Sequence, residues 1–346
     1  MTKQPGGSSA AESEQPSPVT DEAPVTPDRP ETAPDDGSPG PPPAPGAPAL
    51  ALLALGWLAA MLWSTREAIH SAAAGVTAIS LSAFALPGVI SAALVAGAAF
   101  ALFGVDLLAR RGRERATLRF VAAVATGLLV GLAAAFAVNL TYADNATTNV
   151  IAGTTAAAAI IGGAVAGART APVVGAVVAA ALGTLIFVVA FSRARDPLFD
   201  LFGAGETQES LLNAAKWVSR TESLLAGLVA GLLAFGYLTW ARRRAARRDP
   251  AAPALRWPAY LLAGAGPGLL LLVAEVILRT GGRKLLDLAS ALSEADAVAQ
   301  TSLGTSRVDN AIWVLFVGAL TAMVAFGRTL GPAPRDEDET EAEPAD

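Results

Sequence analysis

The chain has no cysteine and one histidine, His70, among its 346 residues, and only three lysines beside 22 arginines. Without cysteine there is no disulfide, thiolate nucleophile, cysteine zinc site or cysteine lipidation. A single histidine excludes a multi-histidine metal site. Walker loops, dinucleotide fingerprints, HExxH pairs and a nucleophile elbow with its partner histidine are all missing, so no cofactor is expected and no enzyme activity. Arginine over lysine together with abundant alanine suggests a bacterial genome rich in G and C.

Charge is also absent from long stretches. Acids concentrate at the two ends: residues 1–48 carry eight acidic and two basic side chains, and residues 332–346 carry seven and one. The part between holds 22 basic and 15 acidic side chains. Residues 1–48 are Pro-rich, and almost nothing large and apolar offsets their ordering entropy, so both ends are expected to be disordered acidic tails. No basic start leads directly into an apolar core, so no signal peptide is expected.

What remains is apolar. Runs of about 20 apolar residues match the hydrocarbon thickness of a bilayer. Eight spans are predicted near 49–63, 88–108, 119–138, 149–168, 172–191, 223–240, 258–278 and 309–327. The fold class is therefore all-α, a polytopic transmembrane bundle. Residues 68–86 are apolar enough for a ninth span, but they contain His70, Ser80 and Ser82 and end at Pro87-Gly88. An interfacial or re-entrant helix is the preferred reading there. Segments 206–218 and 285–299 read as amphipathic helices lying on the outer leaflet.

Arginine sets the orientation. Arg110, Arg111, Arg113 and Arg115 fall in one short linker, Arg169 in the next, and Arg242, Arg243, Arg244, Arg247, Arg248 and Arg256 in a third. The linker at 139–148 has none. This bias places both termini in the cytoplasm of a plasma-membrane protein. It makes anionic lipid headgroups the natural partners of the arginines and argues against nucleic acid.

Matching polar letters suggest an internal repeat of 172–240 in 258–327. Asp200 aligns with Asp287, Ser219 with Ser306 and Gly231 with Gly318 at an offset of 87. Pro172 aligns with Pro258 and Arg193 with Arg279 at 86. A weaker echo pairs Ala54-Leu55-Gly56 with Ala181-Leu182-Gly183. A parallel repeat of this kind underlies some transporters and some inert bundles.

Ser219-x-x-Glu222 and Ser306-x-x-Asp309 precede apolar runs and fit capping boxes. Ser64-x-x-Glu67 and Ser293-x-x-Asp296 look alike. On this reading Arg220 and Arg307 are solvated or lipid-facing and not ligand groups. Glycines spaced by four, Gly127/Gly131, Gly163/Gly167, Gly227/Gly231 and Gly264/Gly268, would let helices approach closely. Pro267 would bend its span. Asn139 and Asn145 begin sequons without meaning in a bacterium.

Glu275 is the one acid well inside an apolar run, with Arg279 four residues on; Asp106 and Arg110 repeat the spacing. Intramembrane acids are functional candidates. Glu275, however, lies about 25 Å up its span from Pro258, near the headgroups, so interfacial ion pairs are expected before a proton relay. Function is read first as a non-enzymatic membrane scaffold or accessory subunit working with a membrane protein partner. A permease or channel comes second, and a lipid-modifying enzyme third, for want of convergent acids.

Overall fold

The computed structural model describes residues 44–70, 75–111, 115–141, 146–203, 205–250 and 255–329. The expected disordered tails, apart from residues 44–48, 332–346 included, lie outside those residues, as do Arg113 and Asn145. The described residues contain helices and no strand. They are α1 (Ala47–His70), α2 (Gly75–Ala109), α3 (Ala116–Thr141), α4 (Ala146–Gly167), α5 (Ala171–Ser192), α6 (Arg195–Leu201), α7 (Gln208–Arg248), α8 (Trp257–Gly281), α9 (Arg283–Leu292) and α10 (Glu294–Gly327). Eight of them are long and apolar enough to cross a bilayer. Each contains one expected span. An even number of crossings puts Ala44 and Thr329 on one face, here the terminal face; the opposite one is the distal face.

α1, α3 and α4 surround α2, while α7 and α10 close around α5 and α8; α2 joins the groups by packing on α5 and α8. Apolar side chains at the rim, such as Leu129, Phe136, Phe316 and Leu320, point outward, as lipid-facing positions do. Trp217 and Trp240 lie 23 residues apart on α7. That is about 34 Å of helix, close to the bilayer core plus its tryptophan-rich borders.

The bundle is built on small residues. A Cβ on Gly162 would run into the carbonyl of Leu94, and one on Gly97 into that of Ala159, at the α2–α4 crossing. Gly127 lies against Gly163 where α3 crosses α4. Gly231 and Gly264 both press on Gly318, so α7, α8 and α10 meet there almost backbone to backbone. All eight glycines singled out by their four-residue spacing face a neighbouring helix.

Three local expectations are corrected. Residues 75–86 are not a separate interfacial or re-entrant helix, because α2 continues through Pro87. Proline removes one helical hydrogen bond, but Ser82, Ala83, Leu86, Val89 and Ile90 are buried on both sides of it and hold the helix in line. The hydroxyl of Ser82 donates back to Ala78 at 2.7 Å. α8 likewise runs through Pro267 without a break.

Residues 208–218 are not a surface helix but the first turns of α7, a 41-residue helix about 61 Å long. The 285–299 segment divides at Ser293, whose extended backbone ends α9 and starts α10.

Ser219 and Ser306 do not start helices. Both lie inside α7 and α10, and Ser64 lies inside α1. The caps are Thr207, which accepts from the amide of Ser210, and Ser293, which accepts from that of Asp296. Replacing Thr207 or Ser293 by alanine should therefore cost about 1 kcal/mol each. Ser306→Ala should be near neutral. Thermal unfolding in detergent measures this, and an equal cost at Ser306 would contradict the assigned starts.

Candidate functional site

The acids inside the bundle are few, and each has an arginine. On the distal side, Glu275 of α8 is 8% exposed. Its Oε1 accepts from Nε of Arg279 at 2.8 Å and its Oε2 from Nε of Arg307 at 3.0 Å. Arg279 lies one turn along the same helix; Arg307 comes from α10. The lipid-facing or solvated placement expected for Arg307 is thus corrected: its side chain is 26% exposed and ties two helices together. Gly304 lies beside this pair, where a Cβ would make ordinary contact at 3.7 Å with the Arg307 guanidinium and 4.0 Å with Glu275.

A second distal carboxylate, Glu222 of α7, is equally buried and accepts from Arg195 of α6 at 2.8 Å. Glu222 lies 18 residues before Trp240, and Glu275 lies 18 after Trp257. Each count is about 27 Å of helix, which carries both acids toward the distal side. The capping role read for Glu222 does not occur. Above them Ser80 of α2 donates to Asp296 of α10. Gln300, one turn from Asp296 and one from Gly304, is buried with both amide atoms unpartnered.

On the terminal face, Asp106 of α2 is 4% exposed and accepts from Nε and a terminal nitrogen of Arg110 at 3.0 and 2.8 Å. Near this face Tyr237 of α7 donates to the carbonyl of Pro45 at 2.7 Å. Gly46 has φ +76°, and a Cβ on it would press on the ring of Trp240. The entry into α1 is thereby fastened to α7.

The electrostatics follow from these pairings. A carboxylate desolvated in a bundle is costly unless a cation and further hydrogen bonds replace its water. Among the described residues each of the three has such a cation: those of Glu222 and Glu275 tie separate helices, and that of Asp106 lies one turn along α2. The two distal arginines of Glu275 differ in worth. Arg279 makes an exposed i,i+4 contact of about 0.3–0.5 kcal/mol, while Arg307 bridges helices where water is partly excluded. Arg307→Ala should lower the unfolding temperature clearly more than Arg279→Ala. Equal shifts would show that the α8–α10 bridge adds nothing.

Among the described residues no three carboxylate or imidazole groups converge as metal ligands would. A part-open cavity of about 10 Å³ lies between α2, α5 and α8, lined by Ser91, Leu94, Thr184, Pro267 and Leu271 among others. Its accessible wall is apolar, since Ser91 and Thr184 donate to Pro87 and Ala180 of their own helices. Neither Glu222, Glu275 nor Asp106 lines it.

The sequence marked the Asp106–Arg110 and Glu275–Arg279 spacings, and missed the Arg307–Glu275 and Arg195–Glu222 pairs. Those partners are 32 and 27 residues apart, which no helical periodicity reveals. Compared with protein-family profiles, curated proteins and solved structures, the chain matches none.

Proposed function

We propose that this chain is a non-enzymatic scaffold or accessory subunit of a plasma membrane, with both termini in the cytoplasm. The observation that carries this reading is how the buried charge is used. The three buried carboxylates among the described residues are neutralised by arginines and join helices or helix turns, and the cavity between α2, α5 and α8 is small and apolar. A solute path would need polar groups left free to exchange partners.

The orientation rests on arginine. Arg110, Arg111, Arg115, Arg169, Arg256 and the α7 cluster lie on the terminal face, as cytoplasmic loops require. Anionic headgroups are their natural counterions there. On the distal side, α7 and α10 each begin 15 residues before the spans predicted at 223 and 309, about 22 Å of helix. These turns expose Leu211, Leu212, Trp217, Val298 and Leu303, which suit a membrane protein partner.

The alternative, a permease or channel, rests on reading 172–240 and 258–327 as parallel copies. In each proposed copy a span, a short helix and a long helix follow in order. On that reading Gly231 and Gly318, aligned at an offset of 87, are counterparts, and they touch each other.

Two measurements test the proposal. Protease added to wall-stripped cells should spare both tails; cleavage of either from outside overturns the orientation. Purification from native membranes in mild detergent should yield a stoichiometric partner that Leu212→Glu releases. Absence of any partner, together with solute flux through vesicles containing this chain alone, would favour the permease.

A further inference from the structure

Helix α7 does not stop at the membrane border. Past Trp240 it continues for two more turns carrying Arg242, Arg243, Arg244, Arg247 and Arg248, all exposed. Arg244 stacks over Trp240 at 5.8 Å. No ion pair among the described residues uses any of the five.

The chain itself supplies a complement. α7 and α10 run parallel and touch at Gly231 and Gly318. From that contact Arg242 lies 11 residues down α7 and Arg328 ten down α10, about 16 and 15 Å of helix. The chain therefore leaves α10 level with the first arginine. Even at a steep crossing of about 50°, axes that meet at about 8 Å are only about 16 Å apart at that depth.

Seven residues beyond Thr329 the sequence begins Asp336, Glu337, Asp338, Glu339, Glu341 and Glu343. Seven residues reach at most about 25 Å, enough to bring this run onto the arginines. Six acids in eight positions face five arginines in seven, a matched density. The acids before Pro45 are sparser: the six nearest, Asp21, Glu22, Asp28, Glu31, Asp35 and Asp36, spread over 16 positions, with Arg29 among them.

We propose that the acidic run 336–343 folds back onto the arginine face of α7 at 242–248 and competes there with anionic lipid headgroups. A short tether makes the encounter intramolecular, at an effective concentration on the order of millimolar. The contact is exposed, so salt screens it, the screening length falling from about 10 Å at 0.1 M to about 3 Å at 1 M. The inference does not depend on whether the bundle scaffolds or transports, since only the terminal face enters it.

The absence of cysteine makes a direct test possible. The full chain carrying Ala246→Cys and Ala342→Cys is reconstituted in phosphatidylcholine vesicles and oxidised mildly. A disulfide should form at low salt, and slow about tenfold in 1 M salt. Arg242→Gln, Arg243→Gln and Arg247→Gln together should slow it similarly, as should phosphatidylserine in the vesicles. A rate indifferent to salt and to the glutamines overturns the proposal. So does faster bonding of Ala246→Cys to Ala33→Cys, which would give the arginines to the other acidic run. Removing residues 333–346 should raise phosphatidylserine binding by several-fold; unchanged binding means that lipid alone holds the arginines.

Discussion

Gly318→Val should nearly abolish folded protein. Gly318 sits where α10 crosses α8 and α7, and a Cβ there would run into the carbonyl of Gly264 and stand 3.5 Å from that of Gly227. Both obstacles are backbone, so no side chain can turn aside. The helices must part, and every contact along both crossings loosens. Overpacking alone costs about 1–3 kcal/mol or more, and the lost dispersion adds to it because membrane helices associate mainly through packing. The expected result is a fall of at least about 10 °C in thermal midpoint, or loss of the monodisperse species on size exclusion. Gly236→Ala is the control. It lies in the middle of α7 with nothing within 4 Å of a Cβ, so alanine should stabilise by about 0.5–1 kcal/mol. If Gly318→Val behaves like the control, the three-helix contact is wrong.

Glu275→Ala should be the most damaging change of charge. It strands Arg307, whose side chain is 26% exposed and is held between helices. Breaking a buried pair from one side typically costs about 3–5 kcal/mol; partial exposure of Arg307 lowers that to about 2–3 kcal/mol. Adding Arg307→Ala should restore part of the loss, because the stranded charge goes with it. Glu222→Ala should cost less, as Arg195 is 49% exposed and can turn to water. Asp106→Ala should cost least through its pair, with Arg110 at 69%. Unfolding temperatures of the three alanine variants and the double variant test the order. A double variant no better than Glu275→Ala would remove the stranded-charge explanation and leave lost packing in its place.

Hydropathy and small-residue spacing are properties of consecutive letters, and what depends on them was legible in the chain. Eight apolar runs became eight long helices because a backbone in lipid must satisfy its own hydrogen bonds. Glycines four apart became close crossings because the spacing alone lines up a groove on one helix face. The Glu275–Arg279 and Asp106–Arg110 contacts were readable for the same reason, both partners lying one turn apart.

Where helices begin and what crosses between them was decided by the tertiary structure. A serine three residues before an acid fits a helix start and a helix interior equally, so Ser219 and Ser306 were indistinguishable from Ser293 by pattern. α7 and α10 begin instead at Thr207 and Ser293, whose hydroxyls accept from the amides of Ser210 and Asp296. Pro87 reads as a stop in isolation, yet burial of Leu86, Val89 and Ile90 outweighs one lost hydrogen bond. Arg307 reached Glu275, and Arg195 reached Glu222, only because folding brought separate helices to the same rim. Desolvation there makes such pairing obligatory, and a linear sequence carries no record of which helices will be neighbours.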